Sequence, residues 1–224
     1  MNILHLIQTK QLRGAEVFTS QLANHLQQRG HQVKIAALKE GNATLPFNGS
    51  VEVLHARLNH RFWDWSAWKQ LARIIREFKP SVVQANAGDT LKYAVLSKLF
   101  FGWKQPIVFR NASTMSQYIS NGIVRWMNKQ LLSRTAHIAS VSAFTQQDLI
   151  DNLQIPQQNI TVIPTGIEAA TVQAAKNGSG IRQLVHVGGF SFEKNHQGLI
   201  RIFQEVRKQI PDAQLILVGD GPLR

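Results

Sequence analysis

Two short segments carry residue types that can hold a phosphorylated ligand. Gly188-Gly189-Phe190-Ser191-Phe192-Glu193-Lys194-Asn195 follows the apolar run Leu184–Val187 and precedes the helix-period segment His196–Gln209. Two glycines, a lysine and the free N–H groups of a helix start form a diphosphate cradle, with Lys194 as a point charge for the oxygens. Leu12-Arg13-Gly14-Ala15-Glu16 holds the equivalent place between the first apolar run and the first helical segment. There a glycine admits a ligand close to the backbone. Taken singly, each segment also reads as an ordinary turn from strand to helix, and Lys194 as a surface lysine. Val218-Gly219-Asp220-Gly221 adds a G-x-G, but Arg224 stands where the third glycine of a dinucleotide fingerprint belongs.

Other chemistries lack their residues. There is no cysteine, which excludes disulfides and thiolate metal sites and suits a reducing compartment. The histidines at 5, 25, 31, 55, 60, 137, 186 and 196 show no H-E-x-x-H or comparable spacing, so no metal site is expected. No G-x-S-x-G elbow marks a serine hydrolase. The net charge of +12 is uneven: residues 1–110 carry 15 of the 25 basic and 6 of the 13 acidic side chains. Such a half suits an anionic partner, whether a membrane surface, a nucleic acid or a phosphorylated substrate. Nucleic acid is disfavoured, because no stacking platform, zinc finger or helix-turn-helix pattern occurs.

The elements that must position these residues alternate. Apolar runs at Ile3–Ile7, Gln32–Leu38, Val51–His55, Ser81–Ala85, Pro106–Arg110, His137–Val141 and Asn159–Ile163 read as strands. Helix-period segments lie between them: Ala15–Arg29, with apolar Val17, Leu22 and Leu26, then Trp63–Lys79, Asp89–Phe101, Ile123–Arg134 and Thr145–Asn152, the last capped by Ser142. This order predicts an α/β fold with a parallel sheet and helices on both faces, which binds ligands at the carboxyl ends of its strands. Residues 169–180 are small and polar and read as a linker between a domain over 1–168 and a second start over 181–224. That second stretch is one βαβ unit, ending with Gln214–Val218 and its turn, so the chain is expected to stop inside its second domain. No internal repeat or low-complexity tract is found.

Trp65, Trp68, Leu71, Ile75 and Phe78 fall at helical spacing, with Arg61, Lys69, Arg73, Arg76 and Lys79 among or opposite them. Basic residues and tryptophans on one helix suit an anionic membrane interface; a helix packing its aromatic face on the sheet is the plainer reading. The first residues have no basic n-region, and no stretch reaches the roughly 18 apolar residues of a spanning helix. The expectation is a cytoplasmic protein, at most peripheral to a membrane.

Five stations along the chain resemble, in order, the family 4 glycosyltransferases of the GT-B fold. Arg13-Gly14-Ala15-Glu16 resembles the family's Gly-Gly-Ala-Glu loop, and Leu22-Ala23 through Arg29-Gly30-His31-Gln32-Val33 the helix and strand after it. Val141-Ser142 with Asp148-Leu149 resembles the last strand and helix of the N-terminal domain. Val162-Ile163-Pro164-Thr165-Gly166-Ile167-Glu168 is similar to Val-Ile-Pro-Asn-Gly-Ile-Asp. Val187-Gly188-Gly189 through Glu193-Lys194-Asn195, and Leu217 through Arg224, resemble the opening of the donor domain. Single stations are common, whereas the ordered set is specific.

The resemblance implies a fold of GT-B type: one Rossmann-like parallel-sheet N-terminal domain plus the first βαβ unit of a second Rossmann-like domain. It implies a glycosyltransferase that moves sugar from a nucleoside diphosphate sugar to a polysaccharide or lipid-linked glycan acceptor, with retention and without metal or other cofactor. Gly14, Gly188, Gly189 and Lys194 would hold the donor and its diphosphate. Arg13, Glu16, Asn86, Arg110 and Ser142 would lie on the acceptor side or in the cleft; no catalytic base is assigned. The departures are specific. Arg13 replaces the first glycine, Gln84 and Asn86 stand where many members carry His-x-His, and Gly189 replaces an arginine. The family's Glu-x7-Glu element, which contacts ribose and sugar, would fall beyond Arg224, so this form is expected to be incomplete as a catalyst. A nucleotide-sugar epimerase of the same fold, and a basic membrane-binding module without catalysis, are the alternatives.

Overall fold

The computed structural model describes residues 1–57, 59, 63–166 and 182–224. The linker read at 169–180, Arg61, and the pair Ile167 and Glu168 lie outside the described residues. The chain divides into two units, Met1–Glu168 and Ala169–Arg224.

The first unit alternates β1 (Asn2–Thr9), α1 (Gly14–Gln28), β2 (Gln32–Lys39), β3 (Val51–Val53), α2 (Trp65–Phe78), β4 (Val82–Ala85), α3 (Gly88–Phe101), β5 (Ile107–Asn111), α4 (Gly122–Leu132), β6 (His137–Ser140), α5 (Ala143–Leu153) and β7 (Ile160–Val162). All seven strands are parallel, in the order β3-β2-β1-β4-β5-β6-β7. Alternate side chains of one strand face opposite layers. Ile3 and Ile7 join Val33, Ile35 and the Ala23 face of α1, while Leu4 and Leu6 join Val83, Ala85, Ile107 and Phe109 against α2 and α3. Both faces are therefore apolar, which is why these strands read as continuous hydrophobic runs.

Two helices pack differently from their sequence pattern. In α1 the buried residues are Glu16, Thr19, Ser20 and Ala23, and of the expected apolar positions Leu26 is partly buried against the core. A short polar face suffices there because Thr19 and Ser20 return their hydroxyls to the carbonyls of Ala15 (2.7 Å) and Glu16 (2.9 Å). In α2 the tryptophan stripe splits. Trp68, Leu71 and Ile75 are buried, as the packing reading has it, while Trp65 is 53% exposed. Asp64 starts that helix: it accepts from Ala67 N (3.3 Å) and from the buried Tyr93 hydroxyl (2.8 Å), tying α2 to α3. Lys79 ends it in the left-handed region (φ 49°) before Pro80, which cannot continue a helix. The third strand is shorter than the Val51–His55 read from sequence: it ends at Val53, because His55 turns into the left-handed region (φ 48°), although Leu54 N and Ala56 N still donate to the Ala37 and Leu38 carbonyls of β2.

The second unit is a single βαβ: β8 (Gln183–Val187), α6 (His196–Gln209) and β9 (Gln214–Val218), with β8 and β9 parallel in a two-stranded sheet.

Candidate functional site

In the first unit, β1 lies between β2 and β4. The connection from β1 runs to one side of the sheet and that from β4 to the other, so a crevice opens at their carboxyl ends. A cleft of about 710 Å³ occupies this place, lined among others by Gln8, Asn86, Asp89, Lys92, Arg110 and Asn128. A smaller one of about 170 Å³ adjoins it, with Gln11, Arg13, Glu16 and Ala87 in its wall. Asn86, Ala15 and Gln8 belong to both.

Each polar group in this region has a definable task. Asn86 is 4% exposed; its backbone N–H (3.2 Å) and its Nδ2 (3.1 Å) both donate to the Leu6 carbonyl, and its Oδ1 accepts from Gln84 Nε2 (2.9 Å). It closes the end of the β1–β4 ladder as well as lining the cleft. Asp89 accepts from Gln8 Nε2 (3.0 Å) and pairs with Lys92 (3.0 Å), both members being less than one-fifth exposed. Glu16 accepts from Gln11 Nε2 (3.4 Å); burial pushes its carboxyl up from the usual range, against hydrogen bonds and the charge of Arg13. Arg110 is 8% exposed, lies 4.1 Å above the Phe18 ring and donates through Nη2 to the Thr165 hydroxyl (2.9 Å), while its Nη1 has no partner among the described residues. Burial lowers its pKa from the usual guanidinium value.

Helix starts divide into two kinds. Side chains cap α2 (Asp64), α4 (Asn121), α5 (Ser142) and α6 (Asn195). The N-cap residues of α1 and α3, Arg13 and Ala87, make no side-chain cap at the crevice, although the Thr90 hydroxyl accepts from Ala87 N (2.8 Å) and the Glu16 carboxylate meets its own N–H.

Arg13, Glu16, Asn86 and Arg110 come together around the adjoining clefts, and Gly14 is exposed in the first turn of α1. Ser142 lines neither cleft; its hydroxyl accepts from Thr145 N (3.2 Å) and its N–H donates to Thr145 Oγ1 (3.2 Å), a reciprocal cap on α5. Sequence reasoning passed over Asp89, Lys92 and Gln8. The signal for the first two was a strand end followed at once by Gly88-Asp89, with Lys92 three residues on and hence on the same helix face.

Gly188, Gly189 and Lys194 lie in the second unit, between β8 and α6. The Lys194 stem runs past Gly188, where an added Cβ would stand 3.6 Å from its Cδ and Cε. Asn195 (φ 43°) turns the chain and caps α6, accepting from Gly198 N (3.2 Å). The weak G-x-G has a job here. Phe190 N donates to Asp220 O (3.0 Å) and Leu223 N to Phe190 O (3.1 Å), so the two loops after β8 and β9 are laced together. A Cβ at Gly219 (φ 153°) would collide with the Gly188 carbonyl, and one at Gly221 would lie 2.5 Å from the Phe190 carbonyl oxygen. Phe190 is held in turn by the His196 ring stacked at 4.3 Å, which meets His186 edge-on at 5.0 Å. Among the described residues no group of three or more His, Asp or Glu is placed to hold a metal ion. No described helix is long and apolar enough to cross a membrane.

The comparisons with known proteins agree with this geometry. The uncharacterized glycosyltransferase MJ1059 of Methanocaldococcus jannaschii is 23% identical over 195 residues, covering 74% of this chain and 46% of that protein. HepE from Anabaena, solved with UDP and glucose, superposes with a TM-score of 0.76 at 16% identity, over 98% of this chain and 61% of that one. A UDP-GlcNAc 2-epimerase from Neisseria meningitidis, bound to UDP-GlcNAc, gives 0.59 at 14% identity over 98% and 66%. The chain thus spans about half of the curated relative and under two-thirds of HepE. The fold is of the GT-B type, and the family description that matches residues 12–171 is Glycosyltransferase Family 4, so the chain belongs to glycosyltransferase family 4.

Proposed function

We propose that the protein takes part in transferring a sugar from a nucleoside diphosphate sugar to a glycan or lipid-linked acceptor. The observation that carries this reading is the polar cleft of about 710 Å³ at the strand-order switch point of a family 4 chain. HepE binds UDP and glucose, which makes a UDP-sugar the first donor to try. On this reading Gly188, Gly189 and Lys194 receive the diphosphate, and Gly14 lies near the donor. The lysine stabilises the charge that develops on the leaving group as the glycosidic bond breaks. Arg13, Glu16, Asn86 and Arg110 form the acceptor side. Transfer proceeds with retention and without metal, so EDTA leaves it unchanged.

The test is calorimetry of UDP and GDP with the 224-residue chain and its Lys194→Ala variant, followed by nucleoside diphosphate release from the corresponding sugars. Binding that weakens in the variant, and release that depends on added acceptor, support the reading. Isomerisation of a UDP-sugar with no acceptor present supports an epimerase instead, the activity of a structural neighbour of similar fold.

A peripheral position on the cytoplasmic face of a membrane belongs to the same proposal. Trp63, Trp65, Leu99 and Phe100 are each more than half exposed, and Lys69, Arg73 and Arg76 are exposed on α2. Aromatic tips and cations of this kind suit an anionic interface. Co-sedimentation with anionic but not neutral vesicles, lost when the three cations are replaced by glutamine, is the expected result.

A further inference from the structure

Arg110 is a buried cation without a counter-charge among the described residues. Among the described residues no carboxylate lies within 4.0 Å of its guanidinium, and the acid in the same cleft, Asp89, is taken by Lys92 and Gln8. Nη2 donates to a neutral hydroxyl, and Nη1 to no described residue. An ionised side chain removed from water without an opposing charge is destabilising, and such groups persist where a ligand completes them. The second observation is independent. Ala87 and Gly88, the start of α3, line the same cleft; Thr90 accepts from Ala87 N, but the N-cap residue Ala87 has no polar side chain to meet the N–H groups of the first turn. A helix start favours negative charge through its dipole and its free N–H groups. Ser113, Ser120 and Asn128 supply the neutral donors and acceptors that hydroxyls of a sugar need.

We infer that this cleft receives an anionic sugar, a carboxylate- or phosphate-bearing residue of the acceptor, with the buried guanidinium of Arg110 in its wall and the first turn of α3 as its oxyanion donors. Carboxylate and phosphate share the chemistry that a guanidinium fork recognises. The inference rests on the transferase reading for the word acceptor, but the binding itself does not.

The experiment measures binding of glucuronate, glucose 1-phosphate, inorganic phosphate and glucose to the 224-residue chain by calorimetry, with and without saturating UDP. The expected result is that one of the charged sugars binds at least about ten-fold more tightly than glucose and than inorganic phosphate, at a site that UDP does not displace. Which charged sugar wins separates carboxylate from phosphate. Arg110→Met keeps an apolar stem over Phe18 and is expected to lose about ten- to hundred-fold in that affinity, with a thermal midpoint equal to or above that of the parent. Equal binding of glucose, displacement by UDP, or binding untouched in Arg110→Met overturns the inference. None of these arms requires turnover, so a failed transfer assay leaves them readable, and a failed binding assay leaves the transferase reading to its own test.

Discussion

Strands β1 and β8 are both apolar, both paired in parallel and both followed by a helix. Yet Leu4 and Leu6 of β1 are 0% exposed, whereas Val185 and Val187 of β8 are 60% and 73% exposed. The difference lies in what surrounds them. β1 has a strand on each side and packed residues on both faces. Among the described residues β8 has one strand beside it, and α6 buries only His196. A strand's hydrophobicity states how much surface it can bury; the number of neighbours decides how much it does bury. The candidate sites follow the same division. The cleft of the first unit is walled by strand ends and helix starts fixed by a core, while the glycine loop of the second is fixed mainly by the loop after β9 and by the ring stack of Phe190 and His196.

The largest effect that tests this contrast is a core deletion. Trp68→Ala, at 1% exposure, is expected to cost about 3–5 kcal/mol in urea unfolding. A cost below about 1 kcal/mol would mean that the first unit is not packed as described. Next comes the pH response of the first unit. His5 is fully buried, with neither ring nitrogen partnered among the described residues, and burial lowers its pKa to about 4 from 6.5. Between those values the unfolded chain binds the proton and the folded chain does not. Stability therefore falls as pH drops through this window, by on the order of 3 kcal/mol in all. Unfolding midpoints between pH 7 and pH 4.5 should show that fall in the parent and much less of it in His5→Leu.

A smaller effect is expected in the second unit. Gly219→Ala sets a Cβ against the Gly188 carbonyl in a backbone region that favours glycine. It should loosen the laced loops by about 1–3 kcal/mol, read as weaker UDP binding with the first unit's unfolding unchanged. Smaller again, Ser142→Ala removes the reciprocal cap of α5 and should cost about 1 kcal/mol in unfolding, with sugar binding intact. Val187→Thr, at a position 73% exposed, should stay within about 0.5 kcal/mol. A larger loss there would show that β8 is covered in solution, and would remove the contrast between the units.

Much of this molecule was readable before its structure. The order of strands and helices follows from apolar runs alternating with helix-period segments, because those periods are set by local backbone geometry. The ordered stations from Arg13-Gly14-Ala15-Glu16 to Gly188-Gly189 pointed to the family for a related reason: glycines and polar residues at strand ends are constrained by the turn itself. The faces of α1 and α2 were less legible. Val17, Leu22 and Leu26 describe an apolar stripe, yet Glu16, Thr19 and Ser20 are buried, since close packing of a helix on a sheet favours short side chains that satisfy their own hydroxyls.

The sequence alone determined the α/β alternation, the placing of Arg13, Glu16, Asn86 and Arg110 at strand ends and helix starts, and the family. Only the tertiary structure decided that Gln8 meets Asp89, that Arg110 is buried with Nη1 unpartnered among the described residues, that α1 and α3 start at one crevice, and that Ser142 lines neither cleft. The reason is physical: which strand ends become neighbours depends on the strand order, and the hydrogen bonds across that crevice join residues up to 81 positions apart, as in Gln8 and Asp89.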